Sequence, residues 1–439
     1  MLFALCSLLF FLSGCASFSH RENILAFVNG EPIVEDDLKY SLQIAHRRED
    51  LSSAKELNLS KFIQKMVDDR LIIQEARSMG MEEYPEVKQA IEKYILRESV
   101  TRLYNEEVVK KVTVSEDEII DYYKKKSPDE NLENLRTSIE KHLRKQKERE
   151  RGDEYLRYLK EHHTIKVDQG LLSLITLEEN NNEKIDLSEE RILAGVNGYT
   201  LTVRDFIALA KSYPKKSKEE ILNDWIDRKV IDSEALNRHY ELKTDLKDMV
   251  ERYKGQVLKN TFIKRIIIPQ VNISDEILEE YYLSHKENFK KPNLFKIQQI
   301  TVNTKEDAED ILKSLQDGAD FSWLAKKRSV DSSAQNGGDI GWLTKAEMQE
   351  PVKRVIETLN AGDISQVFKI DSQYRIIKLL DVKEGDVEKF EKVKNEVYKK
   401  VFEEKVNNLL DEYISLLKKD ADIKINEEAI KALEDKVQK

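Results

Sequence analysis

An internal repeat limits what this chain can fold into more than any other feature. Ile24-Leu25-Ala26-Phe27-Val28-Asn29-Gly30 recurs as Ile192-Leu193-Ala194-Gly195-Val196-Asn197-Gly198, 168 residues on. After a shorter linker the offset settles at 159. Phe62, Ile63, Met66, Val67 and Leu71 then align with Ile221, Leu222, Trp225, Ile226 and Val230, and Tyr122-Tyr123 with Tyr281-Tyr282. Towards the end the offset jumps to 258: Asp153-Glu154-Tyr155 matches Asp411-Glu412-Tyr413, and Ile165-Lys166-Val167 matches Ile423-Lys424-Ile425. The second copy therefore holds 99 residues that the first lacks, placed between its tyrosine pair and its last long helix. Ordered matches across whole copies mark a duplicated structural unit.

Each copy opens on a short apolar strand and an Asn-Gly pair, the strongest short-range hairpin signal. The aligned apolar positions keep the i, i+3, i+4 spacing of a buried helix stripe. Ser115 and Ser274, each followed by acidic residues, read as helix N-caps. A long charged helix and a three-residue strand close each copy. So short a strand needs a partner. We expect residues 26–28 beside 165–167, and residues 194–196 beside 423–425, so that each copy closes on itself. Residues 168–190, with Asn180-Asn181-Asn182, read as the linker between copies.

Composition narrows the function. Charged residues make up 36% of the 439, against about 25% in an ordinary globular chain. That excess suits long helices rimmed by solvent. A net charge of −10 with no basic block argues against nucleic acid as a partner. No stretch after the N-terminus approaches the ~20 apolar residues of a membrane span. The sequence contains no P-loop, so no ATP site is expected, and no GxSxG or HExxH motif. His162-His163 are adjacent and point apart on a helix, which reads as a solvated face. No metal site and no cofactor are expected.

Leu2 to Leu12 form an apolar run of 11 residues, too short to span a bilayer and suited to a signal-peptide core. Leu12-Ser13-Gly14-Cys15 follows and resembles the lipobox of bacterial lipoproteins, although no Lys or Arg precedes the run. The resemblance implies that Cys15 takes the lipid and becomes the first mature residue, anchoring the chain to a membrane surface. Cys6 leaves with the signal, so no disulfide is expected. Ala16 after the cysteine implies, by the same resemblance, the periplasmic face of the outer membrane, with the outer face of the cytoplasmic membrane as the alternative.

The inserted segment reads as a compact α+β domain with strands near 296–302 and 374–380. Its wording includes Gly318-Ala319-Asp320-Phe321, Leu324-Ala325, Ser329-Val330-Asp331, Gly337-Gly338-Asp339-Ile340-Gly341-Trp342, Met348, Gly362-Asp363-Ile364-Ser365 and Ile376-Ile377-Lys378-Leu379. These pieces, in this order, resemble the parvulin (PpiC-type) peptidyl-prolyl isomerase family. The flanking helices, with their Val-Asn-Gly start, resemble the chaperone regions of SurA- and PrsA-type folding factors. The implied fold is α+β: two mostly α-helical SurA-N-like chaperone modules in tandem, the second carrying an inserted α+β parvulin domain. The expected boundaries are a signal peptide at 1–14, a tether at 15–22, module 1 at 23–167, a linker at 168–190, module 2 at 191–290 with 386–430, and the parvulin domain at 291–385.

Prolyl isomerisation breaks no σ-bond; its barrier is lost amide conjugation, ~18–20 kcal/mol for peptide bonds in general. A catalyst offers an apolar socket for the ring and hydrogen bonds that favour the twisted amide. By the resemblance, Ile340, Met348 and Val352 form the socket, with Val352 where Phe is usual. Asp331 keeps the family's Cys/Asp position and Ser372 a frequent hydroxyl position. Gln299 and Arg375 replace the two histidines. Gln imitates part of a neutral imidazole, whereas Arg only donates. An Arg375–Asp331 ion pair would fill the site. The expected function is a lipid-anchored extracytoplasmic folding factor that binds unfolded or proline-containing exported polypeptides, with a degenerate isomerase site. An active isomerase and a structural periplasmic scaffold are the competing classes.

Overall fold

The computed structural model describes residues 24–47, 59–126, 131–176 and 190–437; Cys15 and the apolar run before it lie outside them. The chain divides into two compact units, Met1–Pro269 with Leu410–Lys439, and Gln270–Leu409.

The first unit begins with a hairpin of β1 (Ile24–Val28) and β2 (Glu31–Val34). Its turn places Asn29 and Gly30 at φ 50° and 82°, the left-handed backbone that the Asn-Gly pair tolerates. The second copy repeats it with β4 (Ile192–Val196), Asn197, Gly198 and β5 (Tyr199–Thr202). Between them run helices Leu59–Ser78, Pro85–Glu107 and Leu132–His162, then β3 (Ile165–Val167). After β5 come Lys218–Asn237 and Thr244–Phe262, and the unit is completed by β10 (Ile423–Ile425). Among the described residues no helix is long and apolar enough to cross a membrane.

The copies do not close on themselves. β1 pairs antiparallel with β10, Ala26 facing Ile425 and Val28 facing Ile423. β3 pairs with β4, Ile165 facing Val196 and Val167 facing Ala194. Each closing strand thus serves the other copy, which overturns the expected pairing. The cause is physical. Ile-Lys-Val and Ile-Lys-Ile present the same alternation, so strand chemistry cannot choose between partners. Connectivity then favours β3 with β4, its neighbour along the chain. The helices exchange in the same way: Leu59–Ser78 packs on Thr244–Phe262, and Lys218–Asn237 on Pro85–Glu107.

The stretch read as linker starts with a helix, Gln169–Leu174, capped by Asp168. Leu171, Leu172 and Ile175 join the core formed by Leu193, Phe206 and Ile226. His163 is also not solvated: its side chain is 8% exposed and its Nε2 lies 3.5 Å from Glu234. Ser115 does cap its helix, exchanging hydrogen bonds with Glu118, whereas the Ser274 side chain makes no capping bond.

In the second unit, β6 (Leu294–Val302), β7 (Asp339–Thr344), β8 (Phe368–Ile370) and β9 (Gln373–Lys383) form one antiparallel sheet, in the order β7-β6-β9-β8. Helices Lys305–Gln316 and Phe321–Arg328 cover one face over Ile300, Val302 and Ile376. Helix Glu350–Ile356 covers the other over Ile297, Ile377 and Leu379. The sheet's entry and exit lie side by side, with Lys290 bridged to Val387 and Lys291 N–H donating to Asp386 O at 3.1 Å. A separate cluster of Leu278, Phe289, Val393, Val397 and Val401 lies outside the sheet.

Candidate active site

Strand alternation places Gln299 and Thr301 on the same face of β6 as Ile297, and Arg375 on the same face of β9 as Ile377. Register sets Thr301 directly opposite Arg375, and Gln299 opposite Ile377. Five groups from two strands therefore meet on one face, polar at one end and apolar at the other.

The apolar end gathers the three residues expected to form the socket. Ile340, Met348 and Val352 belong to one cluster with Phe295, Ile297 and Ile377. Ile340 is the unpaired residue of a β-bulge: Ile297 faces Gly341 and Gln298 faces Asp339. Met348 and Val352 are each only 6% exposed, so most of their surface belongs to the domain core. Ile340 is the half-buried member.

Gly338 explains part of the glycine-rich motif. Its φ is 80°, and a Cβ there would stand 2.3 Å from Gln299 O. Its carbonyl accepts from Gln299 N–H at 2.8 Å. Only glycine lets β6 and this loop approach so closely.

At the polar end the loop after helix Phe321–Arg328 is tied to Thr301. Val330 N–H donates to Thr301 O at 2.8 Å, and Thr301 N–H donates to Ser329 Oγ at 2.9 Å. This loop presents Asp331, whose Oδ2 accepts from Ser329 Oγ at 2.7 Å and whose Oδ1 accepts from both the N–H and the Oγ of Ser333. Burial acts to raise the Asp331 pKa, but these hydrogen bonds outweigh it and hold the carboxyl below its ordinary value. Ser329 and Ser333 were missed as site residues, although the Ser-x-Asp-x-Ser spacing carried the signal.

Arg375 does not pair with Asp331 in contact. Among the described residues no carboxylate oxygen lies within 4.0 Å of its guanidinium, and its buried Nε has no hydrogen-bond partner. Burial lowers its pKa, while Asp331 and Asp371 oppose this from a distance. The expected ion pair fails because the hydroxyls of Ser329 and Ser333 already hold the carboxylate. Ser372 is exposed, in the two-residue turn between β8 and β9.

The first unit holds a cavity of about 740 Å³ between β2, Leu59–Ser78 and Thr244–Phe262. Pro32, Val34, Phe62, Met66, Ile73 and Ile263 supply its apolar lining. Ionic groups of the lining pair with one another, as in Arg70–Glu31 at 3.1 Å, Arg252–Asp37 at 2.8 Å and Lys259–Asp69 at 2.7 Å.

The PPIC-type PPIASE domain family matches residues 273–395. The periplasmic chaperone PpiD of Haemophilus ducreyi is 33% identical over 42% of this chain and 29% of its own length. The foldase protein PrsA of Clostridium tetani is 32% identical over 40% of this chain and 55% of its own. The chain thus spans about half, or less, of the length of these relatives. Among solved structures, one reported with the SurA-like chaperones PEB4 and Cj1289 of Campylobacter jejuni is 22% identical, covering 54% of this chain and all of that one, with a TM-score of 0.33. The chain carries a PpiC-type parvulin domain, and its relatives include PrsA- and PpiD-type folding factors.

Proposed function

We propose that this chain is an extracytoplasmic protein-folding factor whose parvulin domain binds extended segments of exported polypeptides and isomerises proline weakly. The observation that carries this reading is the split face of the sheet. The apolar cluster of Ile340, Met348 and Val352 is assembled, but Gln299 and Arg375 stand where the family has histidines, and Asp331 is held by its own loop. Client binding needs the first feature. Stabilising a twisted amide needs the second. In this reading Ile340, Met348 and Val352 receive an apolar or proline side chain. By the resemblance, Gln299, Arg375, Asp331 and Ser372 stand at the positions that surround the rotating amide.

The exchanged helical unit serves as a second client surface. A cavity that mixes apolar lining with internally paired ions suits an extended peptide, whose own backbone is neutral. Weak contacts at two places would retain a client without ATP, through effective concentration. The segment 291–385 is the isomerase-like domain, and Cys15 is the proposed lipid anchor that keeps the protein at a membrane.

Two assays on the purified chain test the proposal. Proline-limited refolding should be accelerated weakly, and aggregation of an unfolded client should be suppressed at stoichiometric dose. Strong acceleration at catalytic dose would make the protein an isomerase first. Failure in both assays would leave the scaffold reading.

A further inference from the structure

Arg375 is a half-buried cation without a counter-ion in contact. The two oxygens of the nearest site carboxylate, Asp331, are already engaged by Ser329 and Ser333. The Arg375 Nε is buried and unpartnered, and among the described residues its guanidinium has no carboxylate within 4.0 Å. Leaving a buried donor unsatisfied is unfavourable, and more so for a charged group. A ligand that supplies the missing acceptor recovers that cost.

The ligand class follows from geometry. Arg375 and Ile377 are two residues apart on one face of β9, hence roughly 7 Å apart along the strand. Ile377 belongs to the cluster of Ile340, Met348 and Val352. A ligand seated on that cluster would reach Arg375 one or two residues further along an extended chain. The guanidinium is planar and forked, and matches a carboxylate with paired N–H···O bonds. The Gln299 amide, on the same face and diagonal to Arg375, adds a further donor.

We propose that Arg375 makes this site a reader of carboxylates: it selects client segments in which an Asp or Glu side chain, or the chain-terminal carboxylate, lies one or two residues from a proline or branched apolar residue. This rests on the client-binding reading above and names the sequence that the site prefers. Arg375 acts here as a specificity residue, not as a replacement for the missing imidazole.

The test is a titration of short labelled peptides against the purified chain. One set places Asp, Asn or Lys next to a Pro-Ile core with both ends blocked. A second set has a neutral interior and a free or amidated C-terminus. The expected result is about tenfold tighter binding of the acidic peptide than of its amide twin, as one charge-assisted bond gives, and weaker binding of the lysine peptide. Whichever set shows the gain identifies the source of the carboxylate. Arg375→Gln should erase the gain, while Arg375→Lys keeps part of it. Equal affinity of the wild-type chain for acidic and amide peptides overturns the inference without recourse to any variant. If no peptide binds, neutral ones included, client binding by this domain fails and the inference fails with it.

Discussion

Tyr94 and Tyr253, equivalent positions of the two repeat copies, stack on one another with ring centroids 4.1 Å apart and planes 10° from parallel. A residue that touches its own repeat-mate lies on an internal two-fold axis, as in an isologous interface. The turns obey the same operation. Asn29 N–H donates to Asp422 O, and Asn197 N–H to Thr164 O, while Asp422 and Thr164 N–H return bonds to the two Asn Oδ1 atoms. The first unit is built as a two-fold dimer within a single chain.

If that axis organises the unit, its tyrosines are coupled. Tyr94→Ala should cost ~3 kcal/mol, since the side chain is 6% exposed. A double-mutant cycle with Tyr253→Ala should show a coupling of ~1 kcal/mol. Denaturant titration of the four proteins measures it, and additive costs would remove the stack from the account.

Strand exchange makes a sharper forecast. Removing residues 421–439 deletes the partner of β1. Amide exchange should then accelerate at residues 26–28 and stay slow at 194–196, which keep β3 as partner. Copies closed on themselves would give the reverse result.

The parvulin domain should be removable. Lys290 and Val387 are already bridged, so joining residue 290 to residue 386 through one glycine spans the gap. The product should keep its helical circular dichroism and the cluster of Leu278, Val393 and Val397. Loss of cooperative unfolding would show that the sheet is needed for that cluster to form.

Restoring the family pattern sets packing against chemistry. Gln299→His and Arg375→His should raise prolyl isomerisation more than peptide affinity. Val352→Phe enlarges a residue that is 6% exposed, so it should cost about 1–3 kcal/mol in stability. Refolding rates and melting curves on the single and triple variants separate the two effects. A wild type as fast as the triple variant refutes the degenerate site.

Asp331 gives a pH signature. Its folded pKa lies below the ordinary value of about 3.9, so the unfolded chain binds more protons in the window between the two. Stability from Asp331 is complete above the unfolded value and is lost as pH falls through the folded one. Acid titration of melting temperature should show this loss, and Asp331→Asn should flatten it. An unchanged acid limb in that variant would mean that the hydrogen bonds of Ser329 and Ser333 are not coupled to ionisation.

Periodicity and turn chemistry made much of this legible. The Asn-Gly hairpins, the stripe of Ile63 and Val67 and the insert within the second copy all rest on pattern, which a sequence displays directly. The choice of partner for β1 does not, because Ile165–Val167 and Ile423–Ile425 offer it the same alternation. That Ile340, Met348 and Val352 come together in one apolar cluster was legible, but their burial depends on how helix Glu350–Ile356 settles. The Arg375–Asp331 pair failed for a related reason: two short hydroxyl side chains nearer in sequence reached the carboxylate first.

The β1–β10 pairing also has a consequence in time. Asn426 donates to the carbonyl of Ile24, 402 residues away. A chain synthesised from its N-terminus delivers β1 long before β10. Until then the outer edge of the hairpin carries unpaired backbone groups, the kind of edge that recruits other strands. β3 and β4 meet much earlier, so the inner sheet forms while the outer one waits. During its own synthesis this chain therefore carries, for a time, an open strand edge, which β10 closes when it arrives.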